Sequence, residues 1–373
     1  MSLMKICFLS LNSYPTLRGR NLGYAGGAEV EQVHLAKELV AQGHDVYFVT
    51  YWHGHRRIEN VDGVKIIKTY DREKSSTINA LVKYRLIWHA LRKTEADIYF
   101  HEAGATGVLP LFCYVSRRKF VFRIPSDAVV LGKSLSDNYN FSGKIVDMLE
   151  IKRADVVVAQ SNFQKRVLKE RFGVESFVIK NGMPMLKVNC VKPRQPIVLW
   201  AASVSSVKRP QLFVELAKSI PHARFEMVGG KTKNEPQLYD DISMAAQKLP
   251  NLRFHGFVPY HNVNEYFKRA SIFVSTSRIE GFSNTFIQAW AHYAPVVSLN
   301  VDPDGIIQNE RIGFHSGTFK RLVSDVSTLL NDETLRKTMG KNAREYVERE
   351  HDIKKIVKVY CKIFETLYGN CSN

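Results

Sequence analysis

The chain has 373 residues, 45% hydrophobic and 24% charged, a balance that excludes disorder, collagen and coiled coil as descriptions of the whole. At ~100–200 residues per domain, this length predicts two domains, each with a core of normal size. The formal charge is +17, with 28 basic against 18 acidic residues up to residue 190 and 25 against 18 beyond it; an excess spread in this way is no basic tail and draws the protein to nucleic acid, anionic lipid or phosphorylated substrates.

The run Ile6-Cys7-Phe8-Leu9-Ser10-Leu11 is too short for a signal-peptide core and has no small-residue cleavage site, so it reads as strand. Strands are predicted at 5–11, 45–50, 64–68, 97–101, 119–123, 155–159 and 177–179, with helices at 28–41, 77–93, 104–115 and 162–172 between them. Continuous apolar runs such as Val156-Val157-Val158 suit strands buried on both faces, which means a parallel sheet. Gly182, Pro184, Pro193 and Pro196 mark a linker over 181–196. Strands then recur at 197–201, 225–228, 252–255, 272–275 and 296–299. Helices fill 211–219, 237–248, 262–269, 285–292 and 320–330, and the last ~40 residues read as helical to Tyr368. The expected class is α/β, two Rossmann-like domains at 1–185 and 190–350 facing across a cleft, with chemistry in the loops that follow the strands.

No apolar run reaches the ~20 residues that cross a bilayer. Cys7, Cys113, Cys190, Cys361 and Cys371 are odd in number and scattered, with no Cys-x-x-Cys, which suits a protein of the reducing cytoplasm.

Three loops stand out. Gly23-Tyr24-Ala25-Gly26-Gly27-Ala28-Glu29 links the first strand to the first helix, where adjacent glycines and a helix N-terminus suit an anion or form a plain flexible loop. It lacks the Gly-x-Gly-x-x-Gly fingerprint of dinucleotide sites. Gly229-Gly230-Lys231-Thr232 is not a P-loop, because Phe225 stands where that motif needs glycine, and it reads as a strand-to-loop turn. The third loop runs from Ser275 through Glu280-Gly281-Phe282-Ser283-Asn284-Thr285 to Gln288. A buried strand ends there and a helix opens near Ser283 or Asn284, offering N–H groups to a phosphate. Glu280 beside such a site repels phosphate, so it either accepts hydrogen bonds from sugar hydroxyls or caps the helix and pairs with a base.

This third segment resembles the glutamate-x7-glutamate motif of the retaining nucleotide-sugar glycosyltransferases of the family-four, or group 1, type. Gly26-Gly27-Ala28-Glu29, Ser161 to Lys165 with Asn181-Gly182, Val207-Lys208-Arg209-Pro210, Asn251 to Val258 and Pro295-Val296-Val297 resemble further family segments in the same order. The resemblance spans residue 4 to about 300. It implies the GT-B architecture: an N-terminal acceptor domain, a C-terminal donor domain, and a last helix at about 352–373 that packs back on the first. It implies transfer of a hexosyl-type sugar from a nucleotide diphosphate to a hydroxyl acceptor in polysaccharide, lipopolysaccharide or glycolipid assembly, with no cofactor and no metal.

Carried over by position, Glu280 holds the donor sugar and Lys208 opposes the diphosphate; both are assigned to catalysis. Gly26, Gly27, Arg209, Val258, Gly281, Phe282, Ser283, Asn284, Thr285 and Gln288 bind the donor. The chain departs from the family at two of its donor positions. The family's second glutamate falls on Gln288, which keeps hydrogen bonding but loses charge assistance, and an arginine often paired with the clamp lysine falls on Ser203. The first-domain histidine falls near Arg123 or Ser126, so no catalytic histidine is assigned. Arg123, His101 and Asp127 are the acceptor-site candidates, with a structural role for His101 left open.

The expected partners are a nucleotide diphosphate sugar and a glycan or lipid-linked acceptor. The helix around Lys83–Lys93 carries Arg85, His89, Arg92 and Lys93 on one stripe, with Trp88 and Leu91 nearby and no acid between. That suits an anionic membrane surface, hence a peripheral place at the inner face of the membrane, or else an ordinary solvated face. The rivals are a non-catalytic nucleotide-sugar or glycan binder of the same fold, a phosphorylase or synthase making a small glycoside, and a basic nucleic-acid binder. No zinc-finger, RRM or KH signature supports the last, and no nucleic acid is expected.

Overall fold

The computed structural model describes residues 3–19, 26–54, 56–74, 77–102, 107–132, 141–185, 192–232 and 234–369, with side chains only from 143 in the helix that begins at 141. Gly23, Tyr24 and Ala25 of the glycine loop, the first residues of the predicted helix 104–115, part of the linker, Cys190 and Cys371 lie outside the described residues. The chain divides into two compact units. One runs to Pro184 and takes in the C-terminal helix from Ile353; the other runs from Met185 to Asp352.

In the first unit the strands are β1 (Lys5–Leu9), β2 (Asp45–Trp52), β3 (Ile58–Val61), β4 (Val64–Asp71), β5 (Ile98–His101), β6 (Lys119–Arg123), β7 (Val156–Ala159) and β8 (Ser176–Val178). They pair in the order β3-β4-β2-β1-β5-β6-β7-β8, parallel throughout except for β3 against β4. Every residue of β7 is buried, as a strand covered on both faces requires. The strand β3 was not among those predicted. It turns into β4 through Asp62-Gly63, with φ of 52° and 83°, the two left-handed residues of a tight hairpin.

Helices Gly27–Ala41 and Ile353–Gly369 share one core with the sheet. Helices Ala80–Thr94, Val108–Ser116 and Phe141–Arg153 share the other. The C-terminal helix buries Ile356, Tyr360, Ile363, Phe364 and Leu367, a stripe at helical spacing. Short helices at Tyr14–Arg18 and Asp127–Leu131, and the longer Phe141–Arg153, add to the predicted set. The predicted helix 162–172 is α-helical over Asn162–Val167 and finishes as a π-helical turn, Leu168–Phe172, closed by left-handed Gly173.

In the second unit the strands are β9 (Ile197–Ala201), β10 (Arg224–Val228), β11 (Leu252–Phe254), β12 (Ile272–Ser275), β13 (Val296–Ser298) and β14 (Gly313–His315). All are parallel, in the order β11-β10-β9-β12-β13-β14. Counted within the unit this is 3-2-1-4-5-6, the doubly wound order, whose ligand crevice opens beyond the carboxyl ends where the order reverses. Here that point lies between β9 and β12. The Gly229-Gly230 turn after β10 is a close-packed crossing, since a Cβ on Gly229 would strike the Ala202 carbonyl and the Trp200 ring.

Candidate functional site

The loops after β9 and β12 are stitched together. The Arg278 N–H donates to the Val207 carbonyl at 2.9 Å. The Thr276 hydroxyl donates to the Lys208 carbonyl at 2.6 Å and accepts from the Trp200 indole at 3.0 Å. Arg209 donates from Nε to the Thr276 carbonyl at 2.7 Å, and from one terminal nitrogen to the Ser277 carbonyl at 3.2 Å and to Asn300. These bonds hold Arg209 in a left-handed backbone, φ 48°, which costs roughly 1–2 kcal/mol in a non-glycine residue. Arg209 therefore braces the two loops through Nε and one of its terminal nitrogens.

The stitching sets Lys208 against Glu280. Their ammonium and carboxylate form an ion pair, with side chains 23% and 14% exposed. Just beyond, Ser283 caps helix Asn284–Ala291 with an extended backbone, and its hydroxyl lies 2.9 Å from that of Thr285. Asn284 and Thr285 are half-buried in the first turn, where N–H groups have no partner one turn back. Gly281 is buried. Phe282 points inward, against the Trp290 ring at 6.3 Å and His351 at 4.8 Å. It anchors the loop, so any donor contact at this position falls to its backbone. Gln288 is also buried; its amide donates to Asn264 at 3.3 Å, and Val258 is half-buried in the loop after β11. Ser203 stands exposed on the loop after β9. A cavity of about 440 Å³ lined by His222, Arg224, Pro250 and Arg253 lies at the opposite edge of this sheet, the wrong end for a ligand of a doubly wound unit.

Thr276 and Asn300 were not singled out from the sequence. Their signal was position alone: each lies one or two residues past a strand's carboxyl end.

In the first unit the predicted residues have other tasks. Arg123 is wholly buried. Its guanidinium donates to Glu102 at 3.2 Å, the Ile179 carbonyl at 3.1 Å, the Tyr360 hydroxyl at 2.7 Å and the Asn181 side chain. Glu31 lies in the same knot and accepts the Gly182 N–H at 2.9 and 3.1 Å. Burial pushes Glu102 up to about 8 and Glu31 up to about 7, with Arg123 pulling both back. An arginine buried in this way joins the C-terminal helix to the sheet, with four of its five N–H donors spent inside the fold. His101 is buried too. Its Nδ1 donates to the Leu9 carbonyl at 2.8 Å, and Nε2 lies 3.7 Å from Glu150, which is the structural alternative. Asp127 opens the short helix capped by Ser126 and accepts from Gln164 at 2.9 Å; it stays half-buried at the end of β6.

Gly26 caps helix Gly27–Ala41, and the Glu29 carboxylate folds back to that end, so that a Cβ on Gly26 would run into it. Burial raises the Glu29 carboxyl above its ordinary value. The N-terminus expected to receive an anion thus carries a carboxyl of its own. Among the described residues no group of three His, Cys, Asp or Glu is placed to hold a metal ion, and no helix is long and apolar enough to cross a membrane.

Comparison with known proteins agrees with this geometry. Residues 25–185 match the glycosyltransferase family 4 model, and residues 186–346 match the model for glycosyl transferases group 1. The alpha-monoglucosyldiacylglycerol synthase of Acholeplasma laidlawii is 23% identical over 92% of this chain and 93% of its own. Among solved structures, the sucrose-phosphate synthase of Thermosynechococcus elongatus superposes with a TM-score of 0.81 at 18% identity, over 98% of this chain and 99% of that one. HepE of Anabaena, solved with UDP and glucose, gives 0.74 at 16% identity over 97% and 99%. Likeness at such identity speaks for the fold alone.

Proposed function

Because the chain belongs to the group 1 glycosyltransferases and has the GT-B fold, we propose that it moves a hexosyl group from a nucleoside diphosphate to a hydroxyl acceptor, with retention and without a metal ion. The Lys208–Glu280 pair at the switch point of the second unit, beside the first turn of helix Asn284–Ala291, carries this reading. The bond from the anomeric carbon to the diphosphate oxygen breaks as the acceptor oxygen bonds to that carbon, the acceptor's proton passes to the leaving diphosphate, and negative charge collects on the leaving phosphate as the bond breaks. Lys208 and the N–H groups of Gly281 to Thr285 stabilise that charge where it grows. On donor arrival the ammonium exchanges its carboxylate partner for phosphate, and Glu280 turns to the sugar hydroxyls. The nucleoside lies toward Val258, and Gln288 receives its ribose.

The acceptor is a glycan or a lipid-linked hydroxyl. The likeness to a glycolipid synthase favours the lipid, with the enzyme in the cytoplasm at the inner face of the membrane and the Lys83–Lys93 helix turned to it. Thermal unfolding with UDP, GDP, ADP and dTDP and their sugar conjugates, in chelator, tests the donor half. A ligand at ~100 times its Kd adds ~2.7 kcal/mol. We expect one base to raise the midpoint by several degrees, Lys208→Ala to remove the rise, and the matching sugar conjugate to be consumed. No rise with any nucleotide overturns the reading. Gln288 and Ser203 favour one alternative, a binder without turnover, and a rise without consumption would select it.

A further inference from the structure

Nine of the sixteen large apolar side chains exposed among the described residues stand on three neighbouring helices of the first unit, Ala80–Thr94, Val108–Ser116 and Phe141–Arg153. Each helix already has an inner apolar side in one core, through Ile87 and Leu91, Leu109 and Phe112, and Ile151. The exposed residues are therefore a second, outward face. On the middle helix it is Leu111, Tyr114 and Val115, at 57%, 75% and 60% exposure. On the third it is Ile145, Met148 and Leu149, followed one turn on by exposed Lys152. Both sets keep helical spacing, so each forms a single stripe.

The charge around this face is mainly positive, although Glu95, at the end of the first helix, is an exposed acid. Arg85, Arg92 and Lys93 are exposed on the first helix, Arg117 at the end of the second, and Lys144 and Lys152 on the third. Within the three helices no acidic side chain is exposed: Asp147 and Glu150, the acids they carry, are buried. Trp88, the expected aromatic, faces inward with its ring 5.0 Å from Phe112; the outward aromatics are Tyr84 and Tyr114.

We propose that this three-helix face seats the protein on a bilayer containing anionic lipid, with Leu111, Tyr114, Ile145 and Met148 entering the interface and the basic residues taking headgroups. An apolar patch of this kind marks an interaction site. A predominantly cationic rim matches an anionic sheet with an apolar interior, and tyrosine suits its boundary. The inference deepens the lipid-acceptor half of the proposed function and rests on that reading for its purpose, while its geometry is independent of the donor site.

Full-length protein is sedimented with phosphatidylcholine vesicles, with and without phosphatidylglycerol, over a salt series. Binding to the anionic vesicles is expected at low salt, weakening with salt, and at least ten-fold tighter than to neutral ones. Tyr114→Ser and Met148→Ser should each weaken it roughly ten-fold. Lys152→Gln should weaken it about five-fold, the equivalent of about 1 kcal/mol. All three variants should keep the wild-type unfolding midpoint and nucleotide response, and Lys208→Ala should bind vesicles normally, so failure here and failure of the donor site read separately. Absent binding to anionic vesicles, or variants that bind as tightly as wild type, would overturn the proposal. So would a dimer in sedimentation velocity that the patch variants dissolve, because the face would then join two copies.

Discussion

Both units place charge at the carboxyl ends of their strands and surround it differently. In the first, Arg123 ends β6 and meets Glu31 and Glu102 with no solvent access. In the second, Lys208 and Glu280 meet on loops after β9 and β12 with part of each side chain in water. A buried guanidinium with four of its five N–H donors bonded within the fold is architecture, because releasing it would strand two carboxyls in the core. A partly exposed pair can trade partners at lower cost, since water reaches the exchange. The degree of burial, more than residue type, separates a charge held by the scaffold from one that can change partners.

Stability against activity breaks this contrast most sharply. Arg123→Ala should cost about 3 kcal/mol or more in denaturant unfolding; Lys208→Ala, which breaks a partly exposed pair, should cost about 1 kcal/mol or less. An Arg123 variant of wild-type stability would dissolve the distinction. Next in size, Glu280→Gln keeps shape but weakens hydrogen bonds to sugar hydroxyls, and should lower kcat/KM for donor cleavage roughly 10- to 100-fold with an unchanged midpoint. Smallest is the pH response of the buried knot. With Glu102 near 8 and Glu31 near 7 against an ordinary 4.5, the folded chain holds protons that the unfolded chain has shed. Stability is then fullest below about pH 4.5 as far as these groups go, and is lost as pH rises through about 8. The melting midpoint should fall by a few degrees from pH 6 to pH 9, and Glu102→Gln should flatten the fall.

Most of the parallel strands were legible because their runs are largely apolar, as in β7 and β9; β14, only three residues long and holding Gly313 and His315, was missed. Helix Phe141–Arg153 was not, because it inverts the usual pattern, burying Asp147 and Glu150 while exposing Ile145 and Met148. A periodicity argument assumes that apolar residues face the core, and here they face out. The hairpin into β4 did carry a signal, Asp62-Gly63 between apolar residues, although β3 is too short to announce itself. At the site, Lys208 and Glu280 were found by their motifs and lie together as a pair. Arg123, expected at the acceptor, is wholly buried and bonded within the fold, and Arg209, expected at the donor, also braces its own loops, since a sequence records that a charge exists and not whether its partners lie in the fold.

The C-terminal helix has a consequence for synthesis on the ribosome. Arg123 and Tyr360 stand 237 positions apart, so at ~5–20 residues per second the arginine emerges on the order of ten seconds before the hydroxyl that completes its shell. Throughout that interval the whole second unit is translated, and it can fold as one continuous stretch. The first unit, begun earlier, finishes last, and its exposed seam over β1 and helix Gly27–Ala41 is a nascent-chain surface for a chaperone to hold.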